Sequence, residues 1–187
     1  MLTQISSPPQ SPAPSGPVEM LLECHHRIRH FVQLSRTLAE AQESPQAQVA
    51  EAAEAIFRYF SQSLPLHEAD ENETLYPRVR HLAPLGSPLR EAAKAMVEQH
   101  HAIEELVFEL AAVCGALRRQ PERLPTLSSQ LQHTSEALDQ IFSSHLHMEE
   151  TVIFPAIAQL PAEELHAMTR EMQRRRQPSE DAIHIIK

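Results

Sequence analysis

Tryptophan is absent from the 187 residues, and glycine and tyrosine are scarce, at 3 and 2. Alanine, leucine, glutamate and glutamine abound instead, a balance that favours helix over sheet. The 2 cysteines, Cys24 and Cys114, have a spacing that fits neither a metal ribbon nor a redox pair. No run of 18 apolar residues occurs, so no spanning helix is expected. Met1 to Pro17 lacks the basic flank and apolar stretch of a secretory signal. Lysine and arginine total 16 against 25 acids, a formal net charge of −9, so neither nucleic acid nor a membrane surface is expected as a partner. A reduced, cytoplasmic setting is the expectation these absences leave.

With 42 % hydrophobic residues, the chain can bury the core of one ordinary domain. Prolines at 8, 9, 12, 14 and 17 stand among serines, so residues 1–17 read as a disordered leader. From Val18 the pattern becomes periodic, and helices are expected over 18–43, 46–76, 88–119, 126–155 and, shorter, 161–176. Ser44-Pro45 divides the first two, Pro121 and Pro125 divide the third from the fourth, and Pro161 opens the last. Ser87-Pro88 is a cap followed by proline at the first helical position. Pro65 falls inside the second helix, which should kink or break there. The domain is expected over 18–158, with a C-terminal helix and tail over 159–187.

The 12 histidines are clustered. His67 precedes Glu71 by four residues, and His145 precedes Glu149 by four, 78 positions later. Tyr76-Pro77 and Phe154-Pro155 follow at matching distances. On a helix such pairs share one face, about 5–6 Å apart at Cβ. Imidazole and carboxylate projecting together suit iron, manganese or zinc. Apolar stripes run through these motifs: Phe60, Leu64 and Leu75 flank the first pair as Leu138, Phe142 and Ile153 flank the second. In the first helix Leu21, Leu22, His25, Ile28 and Val32 repeat as Met96, Val97, His100, Ile103 and Val107 in the third. The chain therefore reads as a duplicated helix pair. Short connections make successive helices antiparallel neighbours, giving an all-α, up-down-up-down four-helix bundle.

Each half contributes one histidine from its first helix and a histidine plus glutamate from its second: His25, His67, Glu71, His100, His145 and Glu149. Buried carboxylates facing one another are costly unless paired or bound to metal. Two divalent cations remove that cost and leave a net charge of about +2, attractive to hydroxide, peroxide or another small ligand. His25 and His100 lie three residues before Ile28 and Ile103 on the stripe, whereas His26 and His101 are rotated about 100° away. Histidines 30, 81, 133, 147, 166 and 184 are expected at the surface or behind the ligands. Cys24 should be a packed thiol, and Cys114 lies about 21 Å along the axis from the histidine level, too far to bridge to it. Tyr76 and Phe154 should close the bundle end. Arg174-Arg175-Arg176 suits a helix C-terminus, and Ile183, Ile185 and Ile186 form a tail that could cover the bundle or a second subunit.

In order, Glu23-Cys24-His25-His26-Arg27-Ile28, then His67 to Glu71, then Gln99-His100-His101-Ala102-Ile103, then His145 to Glu149 resemble the hemerythrin-like (HHE cation-binding) family across residues 18–158. The resemblance implies a non-haem centre of two iron ions bridged by Glu71 and Glu149, with the histidines as terminal ligands. The choice of iron over manganese or zinc rests on it. Oxygen-carrying members have a further histidine one turn after the third-helix ligand, where this chain has Glu104, and a carboxylate five rather than four residues after the fourth-helix histidine. Glu104 is left with three readings: a seventh ligand, a hydrogen-bond acceptor behind a ligand, or a gate. The function implied is binding of a small oxidant, O2 or NO, for sensing, storage or scavenging. Alternatives are a peroxidase or NO-handling enzyme, an iron donor for iron–sulfur cluster repair, and an iron-level sensor. Members resembling the repair group carry a cysteine-bearing N-terminal segment, and residues 1–17 hold no cysteine. A homo-oligomer formed through the C-terminal helix is also open.

Overall fold

The computed structural model describes residues 16–177. Most of the expected leader, and the tail with His184, Ile183, Ile185 and Ile186, lie outside the described residues. The chain forms four long helical rods, all-α among the described residues. The first is α1, Pro17–Glu40. The second joins α2 (Gln46–Arg58), α3 (Leu64–Ala69) and α4 (Tyr76–Leu82). The third is α5, Pro88–Leu117. The fourth runs through α6 (Leu124–Met148) into α7 (Phe154–Ile157), and α8 (Ala162–Arg175) follows. In the ring α1 neighbours α2 and α6, and α5 neighbours the same two. This is the expected antiparallel up-down order of a four-helix bundle. None of these helices is long and apolar enough to cross a membrane.

The start of α5 follows the sequence signals. The Ser87 side chain accepts the Arg90 amide at 3.3 Å, and Pro88 opens α5. Gly86 takes φ 74° in the turn before it, a conformation that favours glycine.

The second rod departs from expectation. It does not break at Pro65, and it continues beyond residue 76 to Leu82. The fourth rod likewise passes Pro155 to Ile157. In each case a wide π turn precedes the proline: Tyr59–Ser63 before Pro65, Asp70–Leu75 before Pro77, and Glu149–Ile153 before Pro155. Proline lacks the amide for an i−4 bond and crowds that carbonyl. A π turn shifts pairing to five residues back, as from the Leu64 amide to Tyr59, Tyr76 to Glu71 and Phe154 to Glu149. The backbone thereby stays helical across all three prolines.

The core divides into two apolar clusters. One contains Ile28, Val32, Phe60, Leu64, Ile103, Leu138 and Phe142; the other contains Leu21, Leu75, Met96, Ile153, Phe154, Met168 and Met172. The buried histidines and glutamates fall between them along each stripe. The methionines of α8 belong to the second cluster, so the apolar stripe of that helix is consumed within its own chain. Arg78 in α4 ties α8 down through Glu171, at 2.9 and 3.0 Å, and Glu164 at 3.3 Å.

Candidate metal centre

Histidine-x-x-x-glutamate spacing survives on the second and fourth rods. His67 Nε2 lies 3.2 Å from Glu71 Oε1, and His145 Nε2 lies 3.0 Å from Glu149 Oε1. Helices α1 and α5 complete the set from across the bundle. His25 Nε2 is 3.1 Å from Glu149 Oε2 and 3.9 Å from Glu71 Oε1, and His100 Nε2 is 3.1 Å from Glu71 Oε2. None of the six side chains belongs to a residue more than 2 % exposed.

The six form two quartets that share both carboxylates. His25, His67, Glu71 and Glu149 make one, and His100, His145, Glu71 and Glu149 make the other, the donor atoms of each within 4.8 Å of one another. Glu71 turns Oε1 towards His67 and Oε2 towards His100; Glu149 turns Oε2 towards His25 and Oε1 towards His145. Each carboxylate thus presents one oxygen to each side. Both glutamates sit in π turns, Glu71 in Asp70–Leu75 and Glu149 at the head of Glu149–Ile153. Such turns occur often at functional sites.

Without a cation the cluster is poorly satisfied. His25 Nε2, His67 Nε2, Glu71 Oε1 and both Glu149 oxygens are buried and lack a well-aligned hydrogen bond, although several approach within ion-pair distance. Buried polar atoms are almost always paired. Imidazole and carboxylate donors converging in two groups of four therefore fit two divalent ions. Charge is strongly redistributed. Burial opposes the His25 charge, but the Glu149 and Glu71 carboxylates override it and carry its pKa to about 10. Burial lowers that of His67. Burial also opposes ionisation of Glu71, yet the surrounding histidines hold its carboxyl well below the usual range.

Behind the donors lies a ring of polar partners that sequence reading did not identify. His25 Nδ1 meets Glu150 Oε1 at 2.8 Å, His100 Nδ1 meets Asn72 Oδ1 at 3.0 Å, and His145 Nδ1 meets Gln99 Oε1 at 2.9 Å. Their signal was adjacency, since Asn72 and Glu150 directly follow the glutamates and Gln99 directly precedes a histidine. Phe154 does not merely close the bundle end: its ring lies 5.1 Å from that of His25. Tyr76 lies under the Arg80 guanidinium at 5.7 Å.

Glu104 stands apart from the cluster. Its side chain is 59 % exposed, 3.7 Å from His101, and helical rotation places both on the outer face of α5. His26, His81, His133, His147 and His166 are exposed as well, and His30 is half-buried. Glu68, also half-buried, has its carboxyl pushed up to about 7 by burial, with Glu104 and Glu71 adding to the rise. Cys24 is partly and Cys114 fully buried, and both are free thiols. Rather than only facing a helix dipole, Arg175 and Arg176 converge on Asp70, a buried acid beside Glu71, and Arg176 also reaches Cys24 Sγ at 3.9 Å.

Comparison with known proteins gives a family match and a relative. The family described as "Hemerythrin HHE cation binding domain" matches residues 16–112 and again 91–177. An uncharacterized protein of Haemophilus influenzae is 29 % identical over 184 residues, covering 95 % of this chain and 99 % of that protein.

Proposed function

This chain belongs to the hemerythrin HHE cation-binding family and so binds a metal cation, typically iron in such domains; from that premise we propose that it holds two irons which bind a small oxidant, O2 or NO, for sensing, storage or scavenging. The ligands are His25 and His67 on one side, His100 and His145 on the other, and Glu71 and Glu149 between them. One observation carries the reading: the same two carboxylates complete both quartets by offering one oxygen to each.

A bound iron pair supplies the reversible electron exchange that protein side chains lack. The chain supplies the rest. Its two glutamates cancel half of the charge of two divalent ions, leaving about +2 to draw in a small anion or polar diatomic. Apolar clusters on either side keep bulk water out, and the near-complete burial of all six donors limits access to molecules of a few atoms. Residues 18–158 form the unit that carries the centre, with α8 as its clamp. The free thiols suit a reducing, cytoplasmic setting. Any self-association through α8 would have to use its polar face, because Leu165, Met168 and Met172 pack inward.

Anaerobic reconstitution with ferrous iron should give two irons per chain by elemental analysis. Addition of O2 or NO should then produce a stable visible charge-transfer band that reverses when the gas is removed. Fewer than two irons, or no optical response to either gas, sinks the proposal. Rapid oxidation with repeated consumption of peroxide would reassign the same centre to an enzyme. Manganese and zinc suit the same donors, so competitive loading at equal concentrations tests the choice of iron.

A further inference from the structure

The duplication relates not only the donors but the residues beside them. An offset of 78 maps Glu71-Asn72 onto Glu149-Glu150, and an offset of 75 maps Cys24-His25 onto Gln99-His100. The first correspondence keeps its geometry and changes its charge. Asn72 Oδ1 accepts from His100 Nδ1 at 3.0 Å, whereas Glu150 Oε1 accepts from His25 Nδ1 at 2.8 Å. The second correspondence loses its contact. Gln99 Oε1 accepts from His145 Nδ1 at 2.9 Å, but Cys24 supplies no such acceptor, and His67 Nδ1 is buried without a hydrogen-bond partner.

We propose that the two metal positions are chemically unequal, and that Glu150 makes the His25/His67 position the one that favours the more highly charged ion. This inference rests on the two-metal reading of the same site. A carboxylate accepting the ring N–H gives the imidazole partial imidazolate character, so its Nε2 donates more strongly than one whose N–H meets a neutral amide. Glu150 is also a full negative charge one ring away from the ion. Arg29 offsets part of it at 2.8 Å, but its side chain is 46 % exposed and therefore well screened. On the other side both histidines are oriented by neutral amides. With iron bound, His25 and His67 would hold the ion that an added one-electron oxidant converts to the ferric state.

The test uses the full chain and two near-isosteric substitutions, Glu150→Gln and Asn72→Asp. Manganese(II) binds weakly in the divalent series and is titrated anaerobically while EPR follows the free ion. The intact protein should take up two ions in two resolved steps. Glu150→Gln should weaken one step by about 10–100-fold, the usual effect of removing a partner behind a ligand, and leave the other unchanged. Asn72→Asp should strengthen the other step and narrow the gap. With iron, the first one-electron potential should rise in Glu150→Gln and fall in Asn72→Asp. Fewer than two manganese ions on the intact chain defeats the two-metal reading itself. Two ions bound with identical steps and potentials in all three proteins overturn this inference alone. If Glu150→Gln does not fold, Asn72→Asp decides, and an unchanged gap overturns the inference.

Discussion

Replacing Asp70 with asparagine should unlatch the C-terminal helix. The Asp70 side chain is fully buried and accepts hydrogen bonds from Arg175 Nη1 at 2.8 Å and from Arg176 Nη2. Removing one partner of a buried ion pair costs about 3–5 kcal/mol because the other charge is stranded. Here the stranded guanidiniums are 20 % and 30 % exposed and regain some water. Asparagine also keeps one acceptor, so the expected loss is about 2 kcal/mol, in the range of a charged hydrogen bond. For a chain of this size that lowers Tm by roughly 4–8 °C. The loss should be local before it is global. With Asp70 neutral, α8 keeps Met168, Met172 and the Arg78 pairs, so it frays from its C-terminal end. The assay is denaturant unfolding combined with hydrogen exchange over residues 162–175, in the metal-free and metal-loaded protein. Glu73→Gln is the control, since that side chain is 66 % exposed and its pair with Arg175 is worth about 0.5 kcal/mol or less. A change below that value for Asp70→Asn, or unaltered exchange along α8, would refute the latch.

Four other outcomes are expected. Glu71→Gln or Glu149→Gln should reduce metal content from two ions per chain to less than one, because each removes a donor from both quartets; retention of one full equivalent by elemental analysis would show that the carboxylates are not shared. His25→Ala and His100→Ala should each lower metal content, whereas His26→Ala and His101→Ala should leave it intact. Metal loading at pH 7 should release protons, since the metal-free cluster keeps His25 protonated up to about 10; affinity should rise with pH, and calorimetry in buffers of different ionisation enthalpy measures the release. The sign reverses for the stability of the metal-free bundle. The raised His25 contributes fully below its unfolded value near 6.5 and is lost as pH rises through about 10, whereas the lowered Glu71 contributes above 4.5 and is lost on acidification.

Much of the architecture was legible in one dimension. Offsets of 75 and 78 revealed the repeat, and a period of 3.6 placed His25 rather than His26, and His100 rather than His101, on the buried stripe. Helix ends were less legible at prolines. Pro65 read as an interruption, and the expected ends at 76 and 155 fell at Pro77 and Pro155, yet the chain absorbs each proline by shifting one turn to i−5 pairing. A pattern of apolar residues does not distinguish that shift from a break. Glu104 shows the complementary limit, for a position one turn beyond a ligand still faces solvent on α5.

Helical periodicity is a property of neighbouring residues, so the amino-acid order alone determined the rods, their inward faces and the six donors those faces carry. Which polar side chain stands behind each donor is a different kind of fact. His25 and Glu150 are 125 positions apart, His145 and Gln99 are 46 apart, and Arg176 reaches Asp70 across 106. Their meeting depends on the rotation and depth at which separate helices pack, and only the folded bundle sets those. The inequality proposed for the two candidate metal positions rests there, on a carboxylate on one side where the other has an amide.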